Sequence, residues 1–296
     1  MSVGVEILDG GLSTALEEVG ADIGGPLWTA RTVVDSPGLL EEAHRRFVTA
    51  GARVITSASY QCGTHEFARL GLSESEARRA LSSTIDVARR ATAGTDVRVA
   101  ASVGPFGAVL ADGSEYTGRY DVSREIVERY HREKLEVLVD SGADLLAVET
   151  IPLAAEARVI AEILEDLGAP PAWFSFGLAS ARSTYGGDDP RSAVAGIAGY
   201  ANLVAVGVNC VHPAVVDAMI DDLGDLAPDA GLIAYPNLGR LWDAGTREWS
   251  GDVTDPFAIE RIAEWIRRGV TMIGGCCGVG PSDIARLVAV VKPPVA

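Results

Sequence analysis

The feature that most constrains the fold of this chain is an alternation of short apolar runs with longer amphipathic segments. Eight runs have the length and the β-branched content of strands. They are VEIL (5–8), RVITSAS (53–59), VRVAASV (97–103), DLLAVET (144–150), AWFSFGL (172–178), LVAVGVNC (203–210), GLIAYPN (231–237) and VTMIGGC (270–276). Most of these runs are continuously apolar, which is typical of parallel strands that are buried on both faces. The pattern therefore predicts a parallel sheet covered by helices.

The segments between these runs carry helix signals. SPGLLEEAHRRFVTAG (36–51) has a Ser at the predicted N-cap, acidic residues early and a Gly just past the end. REIVERYHREKLEVLVDSG (124–142) and DPFAIERIAEWIRRG (255–269) repeat that layout, and residues 73–91 add a helix to the second connection. Eight βα units in about 300 residues predict an α/β fold, a single (β/α)8 TIM barrel in which residues 1–296 form one domain.

An open doubly wound sheet is the alternative fold. It is disfavoured because no G-x-G-x-x-G motif follows the first strand, and GVGPSD (278–283) lacks the third glycine. No low-complexity linker or change of composition divides the chain. Its 296 residues, 48% of them hydrophobic, are enough for one large buried core.

The charge balance limits the class of partner. The chain has 25 Lys and Arg against 41 Asp and Glu, a formal net charge of −16, and no basic cluster, which excludes nucleic-acid binding. No stretch approaches 18 uninterrupted apolar residues, so we expect no membrane span. The N-terminal MSVGVEILDGG lacks the features of a signal peptide, and we expect a cytoplasmic protein with reduced thiols and small-molecule ligands. Composition carries no signal of the oligomeric state.

Polar and glycine residues follow the predicted strands where they end. They are DGG (9–11), SASYQ (57–61), GPFG (104–107), Glu149-Thr150, Asn209-Cys210, YPN (235–237) and GGCC (274–277). In a barrel the carboxyl ends of all strands meet at one face, where active sites form. We therefore expect these residues to converge there, Tyr235 and Asn237 included.

Three of the four cysteines lie at such strand ends. Cys210 ends the sixth strand, and Cys276 and Cys277 end the eighth. Three thiolates from these positions can supply three ligands to a tetrahedral zinc ion and leave the fourth position open for substrate. The flanking glycines allow the bend that points both neighbouring sulfurs at one ion. The alternatives are small buried hydrophobes and a strained vicinal disulfide.

A zinc ion with three thiolates is electron-rich and a poor activator of water. It is suited to binding a substrate thiol, lowering the pKa of that thiol and holding it as a nucleophilic thiolate. The reaction class that follows is alkyl transfer to sulfur.

Motifs spread over the whole chain resemble those of the zinc-dependent homocysteine S-methyltransferases. They are DGG (9–11), GPLW (25–28), TSASYQ (56–61), SVGPFGAVLADGSEYTG (102–118), GADLLAVET (142–150), VGVNC (206–210), YPN (235–237) and GGCCG (274–278). LADGSEYTG and ASYQ are most similar to the branch that uses S-methylmethionine as methyl donor. The resemblance implies a (β/α)8 barrel and direct methyl transfer from a sulfonium to homocysteine, giving methionine.

The resemblance also implies roles for individual residues. Cys210, Cys276 and Cys277 would bind Zn²⁺ together with the homocysteine sulfur. The remaining residues are substrate-binding: Glu149 for the ammonium of homocysteine, Asp9, Gly10 and Gly11 for the amino-acid end, partly through backbone N–H groups, and Trp28 and Tyr60 for the methyl-bearing cation of the donor. Without the resemblance, Glu149 is equally consistent with a helix start or a buried structural carboxylate, the DGG turn with an ordinary tight turn, and Trp28 with packing under a loop.

Some positions depart from the family pattern. Cys62 is interpreted as a bystander, and His212 as a loop or helix-start residue rather than a ligand. The stretch ASARSTYGGDDP (179–190) is more irregular than the family's usual loop, and Leu238-Gly239-Arg240 stands where smaller or acidic residues are expected. The last two changes leave the donor open, with S-adenosylmethionine or betaine as alternatives, and selenium-containing acceptors are a further alternative. Separate hypotheses from other classes are a non-catalytic zinc- or thiol-binding barrel and a metal-free lyase with Glu149 as base.

Overall fold

A computed structural model describes residues 4–25, 27–243 and 248–291 of the chain. All eight predicted strands are present, most of them shorter than their sequence runs. They are β1 Glu6–Ile7, β2 Val54–Thr56, β3 Arg98–Val103, β4 Leu145–Ile151, β5 Ala172–Phe176, β6 Leu203–Asn209, β7 Gly231–Tyr235 and β8 Val270–Ile273. The predicted domain, residues 1–296, includes positions at both termini that lie outside the described residues. Pro26 of the GPLW motif also lies outside them.

The eight strands form one parallel sheet in the order β1-β8-β7-β6-β5-β4-β3-β2. A parallel bridge between Leu8 and Val54 joins the two ends of this order. The Asp9 N–H donates to the Val54 carbonyl at 3.1 Å, and the Arg53 N–H donates to the Ile7 carbonyl at 2.7 Å. These contacts bring β1 beside β2 and confirm the predicted (β/α)8 barrel, so the open doubly wound sheet is wrong.

Helices occupy the connections between the strands. In the described part of the chain they are α1 Leu12–Glu18, α2 Trp28–Asp35, α3 Pro37–Ala50, α4 Thr64–Arg69, α5 Glu74–Ala91, α6 Phe106–Leu110, α7 Arg124–Val139, α8 Ala154–Asp166, α9 Pro190–Ala195, α10 Pro213–Leu226, α11 Ile259–Arg267 and α12 Pro281–Val291. The predicted helices correspond to α3, α5, α7 and α11. Ser36 is at the N-cap of α3, as predicted, but its side chain makes no capping hydrogen bond. None of the described helices is both long and apolar enough to cross a membrane.

Three short elements interrupt the βα pattern. A 3₁₀ helix, Ser114–Tyr116, follows α6, and Leu178–Ser180 pairs with Ser183–Thr184 in the stretch that looked irregular in sequence. Leu241–Asp243 pairs with Glu248–Ser250. All three lie in connections that follow strand carboxyl ends, the positions from which a barrel builds its active site.

Side chains fill the barrel. One buried cluster lines the inner faces of the strands: Leu8, Val54, Ala100, Leu145, Ala147, Trp173, Ala205, Ile233, Tyr235 and Met272. Three alanines in this set leave room for the indole of Trp173, whose Nε1 donates to the Tyr235 hydroxyl at 2.9 Å. The barrel is therefore a packed core, and its substrate site must lie at an end rather than along the axis.

Candidate active site

The three cysteine thiols meet at the carboxyl ends of β6 and β8. Their sulfurs all lie within 4.8 Å of one another, and the Cys210 and Cys277 sulfurs are 3.5 Å apart. All four cysteines of the chain are free thiols, so the vicinal disulfide is not present. Ligand sulfurs of a tetrahedral zinc ion are about 3.8 Å apart when each Zn–S bond is about 2.3 Å. The spacing of the thiols therefore fits a metal ion, as the sequence predicted.

Cys210 adopts an unusual backbone conformation. Its φ of 52° is in the left-handed region, which is unfavourable for a residue with a side chain. Three hydrogen bonds fix it: the Cys210 N–H donates to the Tyr235 carbonyl at 3.1 Å, and the Asn237 Nδ2 and Tyr185 hydroxyl donate to the Cys210 carbonyl at 3.3 and 3.2 Å. This turn directs the Cys210 side chain toward the β8 loop.

Close packing and tight turns shape the loop that carries Cys276 and Cys277. A Cβ atom on Gly275 would lie 2.2 Å from Val279 Cγ1, and Gly278 has a φ of 83°. The Gly275 N–H donates to the Asp9 carbonyl and the Cys276 N–H to the Pro236 carbonyl, both at 2.9 Å. These glycines are therefore required for the loop, in agreement with the sequence argument.

The pKa values of the three thiols shift in different directions. Hydrogen bonds from Cys276 and Cys277 hold the pKa of Cys210 well below its usual range, and the same contacts with desolvation raise the pKa of both donors. Polar groups approach the sulfurs from two sides: Tyr116 Oη is 3.8 Å from Cys210 Sγ, and Asn209 Nδ2 is 4.0 Å from Cys276 Sγ. Cys210 is buried and the other two cysteines are half-buried, so holding all three sulfurs as thiolates at this spacing requires a cation, which is the condition for a metal site.

Asn209 connects three strands directly beneath the cysteines. Its Oδ1 accepts from the Thr150 N–H at 2.7 Å and from Ser175 Oγ at 2.8 Å, and its Nδ2 donates to Thr150 Oγ1 at 2.7 Å. Thr150 has a left-handed φ of 59°. The sequence places Asn209 in the VGVNC motif, but its bridging role could not be predicted because its partners are far away in the chain.

Glu149 is a buried carboxylate near the thiols. Ser102 Oγ donates to its Oε1, and burial raises the pKa of Glu149 to about 7 despite that hydrogen bond. Glu149 lies within β4, three residues after Leu146 and well before α8 begins, so it is not a helix-start residue. Its position near the carboxyl end of β4 puts it on the same face of the barrel as the cysteines, and its contact with substrate stays a prediction.

The Asp9-Gly10-Gly11 turn serves the barrel itself. The Asp9 carboxylate accepts from the Thr56 N–H at 2.7 Å and from Thr56 Oγ1 at 3.1 Å, which ties β1 to β2, and burial raises the pKa of Asp9 to about 8. Cβ atoms on Gly10 and Gly11 would lie 2.4 Å from the Val279 carbonyl oxygen and 2.8 Å from the Cys276 carbonyl oxygen, respectively. Direct contact of this turn with a substrate stays a prediction.

The two predicted donor-binding aromatics occupy different surroundings. The ring of Tyr60 is so close to Gly104 that a Cβ there would lie 2.8 Å from it, and the charges of Glu115, Cys210 and Glu149 all raise the pKa of Tyr60. Trp28 begins α2 and packs, partly exposed, against the outer core. In the described chain no hydrogen bond or ring contact joins Trp28 to the other site residues.

Two tyrosines that the sequence analysis did not select lie beside Cys210. The rings of Tyr116 and Tyr185 meet edge to face, with centroids 5.4 Å apart and an interplanar angle of 86°. Both hydroxyls point at Cys210, one toward its sulfur and one toward its carbonyl oxygen. Their stretches were singled out in sequence, as LADGSEYTG and as the irregular 179–190 segment, but nothing local showed that the rings would meet.

The surroundings of Cys62 and His212 agree with their interpretation from sequence, Cys62 as a bystander and His212 as a helix-start residue. Cys62 is fully buried and donates to the Ala58 carbonyl at 3.3 Å, and burial raises the pKa of its thiol to about 12, which makes it unreactive. His212 is the N-cap of α10, where its Nδ1 accepts from the Ala214 N–H at 3.1 Å.

The fold and the site together define a class of protein: a TIM-barrel enzyme with a cluster of three cysteine thiols, spaced as in a metal centre, at the carboxyl ends of its strands. The family model of the homocysteine S-methyltransferases matches residues 6–291. The chain belongs to the homocysteine S-methyltransferase family.

Individual relatives agree with this assignment over nearly the whole chain. The homocysteine S-methyltransferase of Escherichia coli K12 is 39% identical over 294 residues, covering 96% of this chain and 94% of the relative. A selenocysteine Se-methyltransferase of Brassica oleracea is 34% identical, covering 95% and 87%. The crystal structure of the E. coli homocysteine methyltransferase MmuM in its metallated form superposes with a TM-score of 0.84 at 37% identity, covering 96% of each chain.

Proposed function

We propose that this chain transfers a methyl group from S-methylmethionine to the sulfur of homocysteine, giving methionine, and that it does so with Zn²⁺. The observation that carries the proposal is the cluster of three thiols, within 4.8 Å of one another, in a member of the homocysteine S-methyltransferase family. Reduced thiols are needed for this chemistry, and we expect the protein to work in the cytoplasm.

Cys210, Cys276 and Cys277 would hold the metal ion. An all-sulfur donor set favours a soft or borderline ion such as Zn²⁺ over Mg²⁺ or Ca²⁺. When bound, Zn²⁺ supplies the Lewis acidity that lowers the pKa of the substrate thiol. The metallated crystal form of the E. coli relative supports a metal at this centre. Tyr116 Oη and Asn209 Nδ2, 3.8 and 4.0 Å from the nearest sulfurs, help to disperse the thiolate charge.

Glu149 orients the acceptor. A carboxylate whose pKa is raised to about 7 by burial becomes fully ionised when an ammonium group pairs with it, because the ion pair replaces the lost solvation. Ser102 donates a hydrogen bond to the Glu149 carboxylate, and a hydrogen bond from Tyr235 also lowers its pKa. A carboxylate still has lone pairs left with which to accept from a substrate ammonium. Homocysteine held by its ammonium at Glu149 would direct its side chain along the short distance to Cys210.

Aromatic rings and exclusion of water serve the donor. Tyr116 and Tyr185 lie beside Cys210, and the ring of Tyr60 lies against Gly104. Trp28, at the start of α2, would contribute a further ring. Aromatic faces attract a sulfonium through cation–π contacts. An anionic sulfur nucleophile and a cationic donor become two neutral thioethers, so a poorly solvated site favours the reaction once both are positioned. Methyl transfer itself needs no general base.

A donor panel tests this proposal. Methionine formation from homocysteine would be measured with S-methylmethionine, S-adenosylmethionine and betaine, and we expect the highest kcat/KM with S-methylmethionine. Absence of turnover with every donor would refute the proposed reaction and favour the non-catalytic binding protein. A higher rate with another donor would keep the reaction and correct the donor.

Replacing one thiol tests the metal centre. Cys276→Ser should lower bound zinc to a substoichiometric amount and abolish methionine formation, because two thiolates do not hold the ion with the required affinity. Metal analysis of the purified protein measures the first effect. Cys62→Ser, a buried cysteine away from the cluster, is the matched control and should keep both zinc and activity. Full zinc occupancy and turnover in Cys276→Ser would contradict the three-cysteine centre.

A further inference from the structure

Glu115 is a buried carboxylate to which the proposed reaction assigns no role. It lies in the 3₁₀ helix Ser114–Tyr116, and its Oε2 is buried without a hydrogen-bond partner. The other buried glutamates of the described chain have partners: Glu66 accepts from the Gly63 N–H, Glu149 from Ser102, and Glu156 from Tyr120 and the Phe106 N–H. An unpartnered buried oxygen is costly, so its presence requires an explanation.

The 3₁₀ helix that carries Glu115 lies beside the Cys210 side of the site. Burial and then the charge of Glu115 raise the pKa of Tyr60, and burial, the charge of Asp112 and the charge of Cys210 raise the pKa of Glu115. The next residue, Tyr116, brings its hydroxyl to 3.8 Å from Cys210 Sγ. Glu115 is therefore in the donor half of the site rather than in an isolated part of the core.

Lys134 is a buried cation near Tyr60, and its partners are groups other than Glu115. Lys134 Nζ donates to the Tyr60 carbonyl oxygen at 3.0 Å, and its electrostatic partners are Cys62, Glu66 and Glu149. Burial raises the pKa of Glu115 to about 7, in line with a carboxylate that the protein itself does not neutralise. A ligand that brings a positive charge with an N–H group would supply the missing partner.

The backbone around Glu115 is held in place before any ligand binds. The Ser114 N–H donates to Asp112 Oδ1 at 2.9 Å, which closes the turn. Gly107 packs against it so closely that a Cβ there would lie 2.6 Å from the Glu115 nitrogen. A preorganised carboxylate of this kind is typical of a recognition site.

We propose that Glu115 binds the α-ammonium group of the methyl donor and thereby selects sulfonium donors that are amino acids. The inference rests on the proposed function and deepens it. A sulfonium or quaternary ammonium carries no N–H and cannot satisfy Glu115 Oε2, whereas a primary ammonium can form a charge-assisted hydrogen bond with it. The two ammonium groups of the reaction then have separate carboxylates, Glu149 for the acceptor and Glu115 for the donor.

Donor binding by the zinc-loaded full chain tests this assignment. Isothermal titration calorimetry would compare S-methylmethionine with 4-(dimethylsulfonio)butanoate, which keeps the sulfonium and carboxylate but lacks the amino group. We expect the wild type to bind S-methylmethionine about 10- to 100-fold more tightly, the range for a hydrogen bond to a charged group. Glu115→Gln should remove most of that preference by weakening S-methylmethionine alone, with the KM for homocysteine unchanged.

Two further variants separate recognition from damage to the fold. Glu66→Gln makes the same change at a buried carboxylate that already has a partner, and it should affect both donors by the same factor. Glu115→Asp keeps the charge with a shorter reach and should retain part of the preference. Thermal unfolding should show Glu115→Gln to be no less stable than wild type, because the oxygen it replaces has no partner to lose.

The outcomes are distinct. Equal binding of the two donors by the wild type, or equal weakening of both in Glu115→Gln, would overturn the assignment. Loss of preference confined to Glu115→Gln would support it. Methionine formation by the wild type is a separate measurement, and its failure with every donor would overturn the proposed function instead, whatever the binding preference.

Discussion

Truncation of Asn209 should damage both the barrel and the metal centre. Its amide bridges β4, β5 and β6 through hydrogen bonds of 2.7, 2.8 and 2.7 Å with Thr150 and Ser175. In Asn209→Ala the buried Thr150 N–H loses its acceptor, at a residue whose φ is 59°. Ser175 keeps a partner in the Tyr235 hydroxyl.

The size of the effect follows from these groups. One orphaned buried N–H and the loss of two side-chain hydrogen bonds should lower the free energy of unfolding by about 2–4 kcal/mol. Asn202→Ala is the matched control just before the other end of β6. The side chain of that exposed residue makes one hydrogen bond, from Nδ2 to the Ala169 carbonyl at 2.9 Å, and its truncation should cost less than about 1 kcal/mol.

Urea unfolding in the presence of a chelator measures these differences without a contribution from metal binding. Competition with a chromophoric chelator then measures zinc affinity. Asn209→Ala should weaken zinc binding about 10-fold or more, because a group that orients the ligands is lost, whereas Asn202→Ala should leave it unchanged. Equal stability losses in the two variants, or unchanged zinc affinity in Asn209→Ala, would refute the view that this amide organises the site.

Two other carboxylates give simple expectations. Glu149→Gln should raise the KM for homocysteine about 10- to 100-fold with a smaller effect on donor KM, as measured by steady-state kinetics; a change confined to the donor would contradict its role. Burial raises the pKa of Asp9 to about 8, above its unfolded value near 3.8. Its stabilising contribution is therefore fully present below about pH 4 and is lost as the pH rises through about 8. Asp9→Asn should reduce the fall in urea midpoint between pH 5 and pH 8.5, and an unchanged slope would argue against the raised pKa.

The barrel could be predicted because its signals are local. Apolar runs of strand length, and helix ends such as Gly51 with its φ of 104°, depend on residues within one element. The approach of Cys210 to Cys277, 67 positions later, was predictable for one reason only: a barrel gathers the carboxyl ends of all its strands at one face. The same reasoning located Glu149 in the site.

The tertiary structure decided which contacts each side chain makes within the site. The contact of Asp9 with substrate stays a prediction, and the structure adds that its carboxylate joins β1 to β2 through Thr56. The meeting of Tyr116 with Cys210 spans 94 positions, and the missing partner of Glu115 Oε2 is visible only when every surrounding atom is placed. These properties are sums over contacts between distant segments, and no periodicity or motif within one segment encodes them.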